Sequence, residues 1–96
     1  MLVTWDPDKA ASNRAKHGVS FETAVLVFDD PLHLSLPDPH PDGDRWNTIG
    51  RVGPVLLLVV HSWREGEREG NESACRMISA RKATAHERRA YEEGSF

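Results

Sequence analysis

The spacing of apolar residues along the chain predicts a mixture of helices and strands. Residues 21–28 carry apolar side chains at positions i, i+3, i+4 and i+7, which is the spacing of one buried helix face. Residues 32–36 instead alternate leucine with polar side chains, which is the two-residue period of a strand. The most apolar stretch, residues 55–63, predicts a central strand that is buried on both faces.

Capping residues place the ends of two helices near the N-terminus. Asp6 followed by Pro7 is a strong helix start, and this first helix should end at Gly18, which can adopt the left-handed conformation of a helix terminus. Ser20 then caps a second helix. That helix should stop before Pro31, because proline cannot continue the ladder of helical hydrogen bonds.

A third helix and five strands complete the predicted order. Thr84 and Glu87 have the spacing of a capping box, so a C-terminal helix should begin there and end at Gly94. The short connections between strands favour a mainly antiparallel sheet with helices packed on one face and at its end. We therefore predict a single α+β domain over residues 1–96, in the order β-α-α-β-β-β-β-α. The predicted strands are residues 2–5, 32–36, 45–52, 55–63 and 72–80.

Composition limits the classes of protein to which the chain can belong. A single cysteine, Cys75, excludes an internal disulfide framework and favours a reducing compartment, so we expect a cytoplasmic protein. The N-terminal residues lack the basic and apolar regions of a secretory signal, so we expect none. The longest apolar run, residues 55–60, is far shorter than the about 20 residues of a membrane-spanning helix, so we expect no membrane span.

The charge of the chain is unevenly distributed. Twelve Lys and Arg against fifteen Asp and Glu give a net charge of −3 with neutral histidines, which argues against a general nucleic-acid coat protein. Residues 76–89 are the exception, because they hold five basic residues and the single acid Glu87. Such a cationic patch suits an anionic ligand, while the alternative is a solvated surface with Arg–Glu pairs.

The pattern of ligating residues predicts neither a metal nor a cofactor. Residues 38–44 are similar to the start of a calcium-binding EF-hand loop, but the twelfth position, which should be a bidentate glutamate, is Ile49. The five histidines contain no His-x-x-x-His pair, and Cys75 has no neighbouring ligand. Phosphate loops of the Walker type and dinucleotide fingerprints are also lacking.

The junction between the last strand and the last helix carries the strongest local signal for anion binding. Arg81 and Lys82 precede the free backbone N–H groups of a capped helix start, and together these donors suit a phosphate. The alternative is that Arg81 pairs with Glu87 and only fixes the junction. Trp46, directly beside Arg45, is the best candidate among the three tryptophans for stacking on a base, although core packing is the commoner fate of tryptophan.

Six segments along the chain together match the pattern of one protein family. They are Trp5-Asp6-Pro7 with Lys9-Ala10 and Asn13, residues 16–22 with Ala24, residues 28–31, Asp44-Arg45-Trp46 with Ile49-Gly50, Arg64, and residues 76–84 with Glu87 and Tyr91. In these segments the chain resembles the BrnT toxins, the ribonuclease components of BrnT/BrnA-type type II toxin–antitoxin systems in bacteria. The resemblance spans almost the whole chain, and the segments keep their order.

The resemblance implies a compact RelE-like fold and a metal-independent endoribonuclease that inhibits translation by cleaving RNA. It also implies neutralisation by a BrnA-type antitoxin, whose ribbon-helix-helix domain binds operator DNA. We therefore expect a toxin–antitoxin hetero-oligomer that reaches DNA only through the antitoxin. Cleavage of RNA without a metal uses the ribose 2′-OH as the nucleophile, so the protein has to supply a base, an acid and cations for the phosphate.

On this basis we expect seven residues to form the site. Arg64 and Arg81 are the candidates that stabilise the phosphate during catalysis. His17 is the candidate acid or base, because an imidazole titrates near neutrality, although it can equally serve the end of the first helix. The expected RNA-binding residues are Arg45, Trp46, Arg76 and Lys82.

The chain departs from the usual family pattern at two places. Gly43 and Asp44 precede Arg45 where the family commonly has two glutamates, and residues 61–63 precede Arg64 where the family usually has an aromatic residue and a threonine. The first departure leaves a second hypothesis open, in which the chain is a non-enzymatic subunit that only binds a DNA-binding antitoxin. Cleavage of RNA by the pure protein separates the two hypotheses.

Overall fold

The computed structural model describes residues 2–39, 44–64 and 74–94, with the backbone alone for Arg64. In this part of the chain five strands form one sheet, and three α-helices and one 3-10 helix accompany it. The strands are β1 (Leu2–Thr4), β2 (Leu34–Pro37), β3 (Arg45–Val52), β4 (Val55–Arg64) and β5 (Ala74–Lys82). The helices are α1 (Pro7–His17), α2 (Phe21–Ala24), the 3-10 helix (Val25–Asp29) and α3 (Ala85–Glu93).

The strands are arranged in the order β1-β5-β4-β3-β2. The last four are antiparallel to one another, and the short β1 is parallel to β5. The predicted α+β class with a mainly antiparallel sheet is confirmed, and β4 is the central strand, as its apolar sequence predicted. None of the helices in the described residues has the length and apolar character that crossing a membrane requires.

Two hydrophobic layers lie on opposite faces of the sheet, because successive residues of a strand point to opposite sides. Leu57 and Val59 of β4 pack with residues of α2 and the 3-10 helix, and α1 lies on this same face, which we call the helix-pair face. Leu56 and Leu58 pack with Tyr91 of α3 on the other face, which we call the α3 face. The last helix therefore covers part of the second face, whereas we expected the helices on one face and at the end of the sheet.

Asn13 attaches α1 to the edge of β5. The parallel strand β1 pairs only with the first three residues of β5, so Ala80 has no strand neighbour on that side. The Asn13 carboxamide takes this place, because its Oδ1 accepts from the Ala80 N–H at 3.1 Å and its Nδ2 donates to the Ala80 carbonyl at 2.9 Å. The same Nδ2 donates to the Val19 carbonyl at 3.1 Å. A buried side-chain amide thus continues the sheet and fixes the helix against it.

The second helix is shorter and tighter than predicted. After one α-helical turn the chain continues as a 3-10 helix, and the fully buried side chains Phe21, Ala24 and Val27 follow a spacing of three residues. Close packing against β3 accompanies this geometry, since a Cβ on Gly50 would lie 2.7 Å from Val27 Cγ1 and 2.9 Å from the Val27 carbonyl oxygen. The lack of a side chain at Gly50 therefore allows the 3-10 helix to approach the strand.

A bulge in β5 reverses the faces to which its residues point. Two adjacent residues of β4 pair with β5 residues that are two positions apart, which leaves Ile78 without a partner on β4. Met77, before the bulge, lies on the helix-pair face, and regular alternation would put Arg81 there as well. Because of the bulge, Ala80 lies on that face and Arg81 on the α3 face. Of the strand predicted at 72–80, residues 72 and 73 lie outside the described residues.

Asp30 connects elements on the two faces of the sheet. Its Oδ2 accepts hydrogen bonds from the Tyr91 hydroxyl of α3 at 2.6 Å and from the backbone N–H of Arg51 in β3 at 2.8 Å. Its Oδ1 accepts from the Leu32 N–H at 2.9 Å. Burial alone would raise the pKa of Asp30, but the hydrogen bonds together outweigh burial and hold this pKa below its usual value. The Arg51 guanidinium lies 5.6 Å from the centroid of the Tyr91 ring.

Candidate functional site

A row of three polar residues crosses the α3 face of the sheet. Arg45 of β3, Ser62 of β4 and Arg76 of β5 are register partners, so they stand side by side on three adjacent strands. Neighbouring strands lie about 4.8 Å apart, which puts the backbones of the two arginines about 10 Å apart. We call these three residues the arginine row.

The arginine row lies beyond the part of the α3 face that α3 covers. Tyr91 of α3 packs on Ile49 and other residues toward the opposite end of β3 and β4. Arg76 is exposed and Arg45 is half-buried. Two positions from Arg45 on the same face, the Oδ1 atom of Asn47 is buried without a hydrogen-bond partner among the described residues. The open part of this face therefore offers two cations and an unpaired acceptor.

Arg81 lies on the same face as the arginine row, and an ion pair occupies its guanidinium. Nη1 and Nη2 donate to the two carboxylate oxygens of Glu87 at 2.8 and 2.9 Å, and Nη1 also donates to the Lys82 carbonyl at 3.2 Å. The hydrogen bonds to Glu87 raise the pKa of Arg81, and the same bonds lower the pKa of Glu87. Glu87 also completes the predicted capping box with Thr84. The pairing that we gave as one role of Arg81 is present, and phosphate binding by Arg81 stays a prediction.

Lys82 and His17 lie on the opposite face of the sheet from the arginine row. Lys82 is the register partner of Leu57 on the helix-pair face, where it borders a cleft of about 270 Å³ together with Arg14. His17 is the last residue of α1, where the helix dipole favours a cation. Arg81 and Lys82 thus do not combine into the single anion site that the sequence suggested, because consecutive strand residues point to opposite faces.

Arg64 is the last residue of β4 and lies two positions beyond Ser62. Its backbone is the register partner of Ala74 at the start of β5. Of the seven residues expected to form the site, the structure thus brings Arg45 and Arg76 into one row and places Arg64 two positions along the central strand of that row.

The helix-pair face holds a cleft lined mainly by aromatic rings. It has a volume of about 570 Å³ and lies where the 3-10 helix meets β2, β3 and β4. Trp46 and Trp63 are 36% and 38% exposed, whereas His61 is almost fully buried. The His61 ring lies 5.0 Å from Phe28 and 6.5 Å from Trp63, measured between centroids, in edge-to-face geometry. We call this site the aromatic cleft, and its lining residues are Phe28, Asp29, His33, Ser35, Trp46, His61 and Trp63.

Two hydroxyl groups fix one nitrogen of His61. The Ser35 Oγ lies 2.6 Å from the Thr48 Oγ1, which lies 2.7 Å from the His61 Nε2. Burial lowers the pKa of His61 to about 4, so the imidazole is neutral at pH 7. The other ring nitrogen, Nδ1, is buried and has no hydrogen-bond partner in the described part of the chain. His61 is therefore a neutral polar group with one unsatisfied nitrogen in the wall of the aromatic cleft.

Sequence reasoning identified Trp46 but missed the rest of the aromatic cleft. Trp46 and His61 are register partners on β3 and β4, and Trp63 is the diagonal neighbour of Trp46. The alternation of His61, Ser62 and Trp63 was a signal that could have placed the two rings on one face. The sequence does not show the register of the two strands or the approach of Phe28 from the 3-10 helix.

The described residues contain no cluster of three His, Cys, Asp or Glu side chains that could hold a metal ion. Residues 40–43, which carry part of the calcium-like pattern, lie outside the described residues. Cys75 is fully buried, and burial raises the pKa of its thiol to about 11. The thiol is therefore protonated at neutral pH and unsuited to nucleophilic attack.

Comparison with known proteins identifies one family. The family model described as "Ribonuclease toxin, BrnT, of type II toxin-antitoxin system" matches residues 5–87. The match covers most of the chain and includes the arginine row and every residue that lines the aromatic cleft. No curated protein matches the chain.

Proposed function

Because the chain belongs to the BrnT family of ribonuclease toxins of type II toxin–antitoxin systems, we propose that it cleaves RNA on the open part of its α3 face without a metal ion. The observation that carries this proposal is the arginine row, in which two arginines flank Ser62 across three strands. Two guanidinium groups in this arrangement can bind one phosphodiester with several charge-assisted hydrogen bonds. They also stabilise the negative charge that builds up when the ribose 2′-OH attacks the phosphorus.

The neighbours of the arginine row supply further groups in this proposal. Arg64, two positions beyond Ser62, is assigned as a third cation for the phosphate. The unpaired Oδ1 of Asn47 suits a hydroxyl donor, such as that of a ribose, because a buried acceptor without a partner costs free energy. We assign no step to His17, since it lies on the other face of the sheet. In this proposal Arg81 contacts a phosphate only after its hydrogen bonds to the Glu87 carboxylate are broken.

The family also implies an antitoxin partner for this chain. We infer that this partner is of the BrnA type and that its ribbon-helix-helix domain, rather than this chain, binds operator DNA. The net charge of −3 supports the assignment of DNA binding to the antitoxin, because a chain of that charge depends on local cationic patches to bind any nucleic acid. Binding of RNA to the arginine row should accordingly weaken steeply as salt is added.

The test of the proposed function is cleavage of RNA by the purified chain in EDTA, with the new ends mapped, in the presence and absence of ribosomes. We expect cleavage in EDTA by the wild type. The Arg76→Ala variant should cleave about 10²–10³ times more slowly, the usual effect of removing one preorganised donor. Arg14→Ala is the matched control, because it removes an exposed arginine from α1 on the other side of the sheet. It should cleave at the wild-type rate.

Two results would contradict this proposal in different ways. Cleavage that is lost in EDTA and restored by Mg²⁺ would contradict metal independence. A folded protein that cleaves no RNA under any of these conditions would instead favour the second hypothesis, a non-enzymatic subunit that only binds the antitoxin. The replacement of the usual glutamate pair by Gly43 and Asp44 is the observation that favours this alternative.

A further inference from the structure

We propose that the aromatic cleft binds an unpaired nucleobase of the RNA whose phosphate lies on the arginine row. This inference rests on the proposed ribonuclease function and adds to it a base-binding subsite on the opposite face of the same strands. The volume of the cleft, about 570 Å³, is that of a small-ligand site, which commonly spans about 300–1,000 Å³. A single base with its ribose fits such a volume.

The rings of the aromatic cleft are suited to stacking. Trp46 and Trp63 are diagonal neighbours on β3 and β4, so their side chains are within reach of one another at the mouth of the cleft. Both indoles are more than one-third exposed, which leaves ring surface free for a planar ligand. Proteins that bind single-stranded nucleic acid commonly stack bases on aromatic rings, because every base has a π-face.

The polar groups of the aromatic cleft favour a base over a phosphate. None of the residues that line it is Lys or Arg in the described part of the chain, and Asp29 adds a carboxylate, which repels an anion. Ser35 and His61 supply a hydroxyl and a ring nitrogen that can pair with the edge of a base. The Nδ1 of His61 is buried without a hydrogen-bond partner among the described residues, and in this proposal the edge of a bound base supplies that partner.

The aromatic cleft and the arginine row lie on the same end of the same strands. Arg45 and Trp46 are consecutive in β3, and Ser62 is flanked by His61 and Trp63 in β4. Consecutive residues point to opposite faces, so each strand presents a phosphate-binding side chain on one face and a ring on the other. One RNA strand that contacts both faces of β3 and β4 would place a phosphate on the row and the base of another nucleotide in the cleft.

An apolar side chain of a protein partner is a poorer occupant for the same cleft. It would fill the apolar part of the cleft but leave the His61 Nδ1 atom without a partner, and a buried unpaired polar group opposes binding. A nucleobase satisfies both the stacking surface and the polar wall. For this reason we commit to a base and treat a protein segment as an outcome of the test.

The test uses a short 2′-fluoro RNA that contains 2-aminopurine, because this RNA lacks the nucleophile for cleavage and its fluorescence is quenched on stacking. We expect quenching on binding to the wild type. Trp63→Leu should lose the quenching and bind about tenfold or more weakly, as expected for the loss of one base stack. Leu26→Ala is the matched control, because it removes an exposed apolar side chain outside the cleft and should preserve both readouts. Arg76→Ala should lower the affinity for the RNA and make that affinity less dependent on salt, but the quenching at saturation should be preserved.

The possible results separate this inference from the proposed function. Wild-type quenching and affinity in a folded Trp63→Leu variant would overturn the base site, while cleavage of RNA by the wild type would still support the ribonuclease. Unchanged RNA binding by Trp63→Leu together with weaker antitoxin binding would also overturn it, in favour of a protein-docking surface. Wild-type quenching that Trp63→Leu abolishes, without any cleavage by the wild type, would support the base site and contradict the proposed function. Circular dichroism melting shows that each variant is folded.

Discussion

Arg81 and Glu87 join β5 to α3 through two hydrogen bonds of 2.8 and 2.9 Å. Because a change in either residue breaks this bidentate pair, we expect Arg81→Lys and Glu87→Gln to lower the free energy of unfolding by similar amounts, about 1 kcal/mol. In a domain of this size that corresponds to about 4–8 °C in Tm, which thermal melting can measure. Glu92→Gln, which changes an exposed carboxylate of the same helix, is the control and should alter Tm by much less.

The cleavage rates of the same variants separate the two roles predicted for Arg81. If Arg81 binds the phosphate, Arg81→Lys slows cleavage about 10²–10³-fold, while Glu87→Gln, which frees the guanidinium, does not. If Arg81 only fixes the junction, both variants cleave at rates that follow their stability. The sequence supported both roles, because the pairing depends on how a strand and a helix are oriented. Residue spacing does not provide that orientation.

At the scale of single elements, the contact between the 3-10 helix and β3 depends on Gly50. A methyl group at this position would overlap Val27 Cγ1 and the Val27 carbonyl oxygen. Displacing the carbonyl oxygen requires movement of the backbone of the 3-10 helix, which costs more free energy than rotating a side chain. We therefore expect Gly50→Ala to lower the free energy of unfolding by about 1–3 kcal/mol in urea titrations, the usual cost of overpacking. Adding Val27→Ala removes only the clash with Cγ1, so the double variant should not recover the loss in full. Wild-type stability in Gly50→Ala would contradict this account of the contact.

The elements that the sequence predicted best are those with local signals. Asp6, Ser20 and Thr84 cap their helices through side-chain hydrogen bonds, as predicted, because a cap and its partner lie within three residues. The 3-10 helix was missed, since Phe21 and Ala24 fit a period of three as well as a period of 3.6. Tertiary packing decided between the two periods. The bulge at Ile78 was missed for a similar reason, because strand alternation alone does not mark an inserted residue.

At the scale of the whole molecule, the hydrogen bonds of Asp30 connect both faces and should make stability depend on pH. The pKa of Asp30 lies below its usual value of 3.8 in the folded state. Its stabilisation is therefore fully present above the unfolded pKa and is lost as the pH falls through the folded pKa. We expect Asp30→Asn to be less stable than the wild type at neutral pH and to lose less stability on acidification. Urea unfolding at about pH 7 and pH 3 measures this difference, with Glu92→Gln as a control that should follow the wild type.

The arrangement of residues into a site was the least predictable property of the whole molecule. The sequence predicted the α+β class and pointed to Arg45 and Arg76, but their alignment with Ser62 depends on the register of three strands. The parallel pairing of β1 with β5 joins opposite ends of the chain, and no local pattern predicts such a pairing. Lys82 and His17, which we predicted for the same site, lie on the other face of the sheet, and residue spacing alone does not provide this placement.

The bulge at Ile78 shifts the alternation of side chains along β5 by one residue. The side chain of every residue after the bulge points to the face opposite to the one that simple alternation would give. A chain that lacked Ile78 would keep Arg81 on the face of the arginine row and Lys82 on the opposite face, because removing the inserted residue leaves a regular alternation with the same faces. A strand that kept Ile78 but paired it regularly with β4 would instead exchange the faces of these two basic residues without changing either of them.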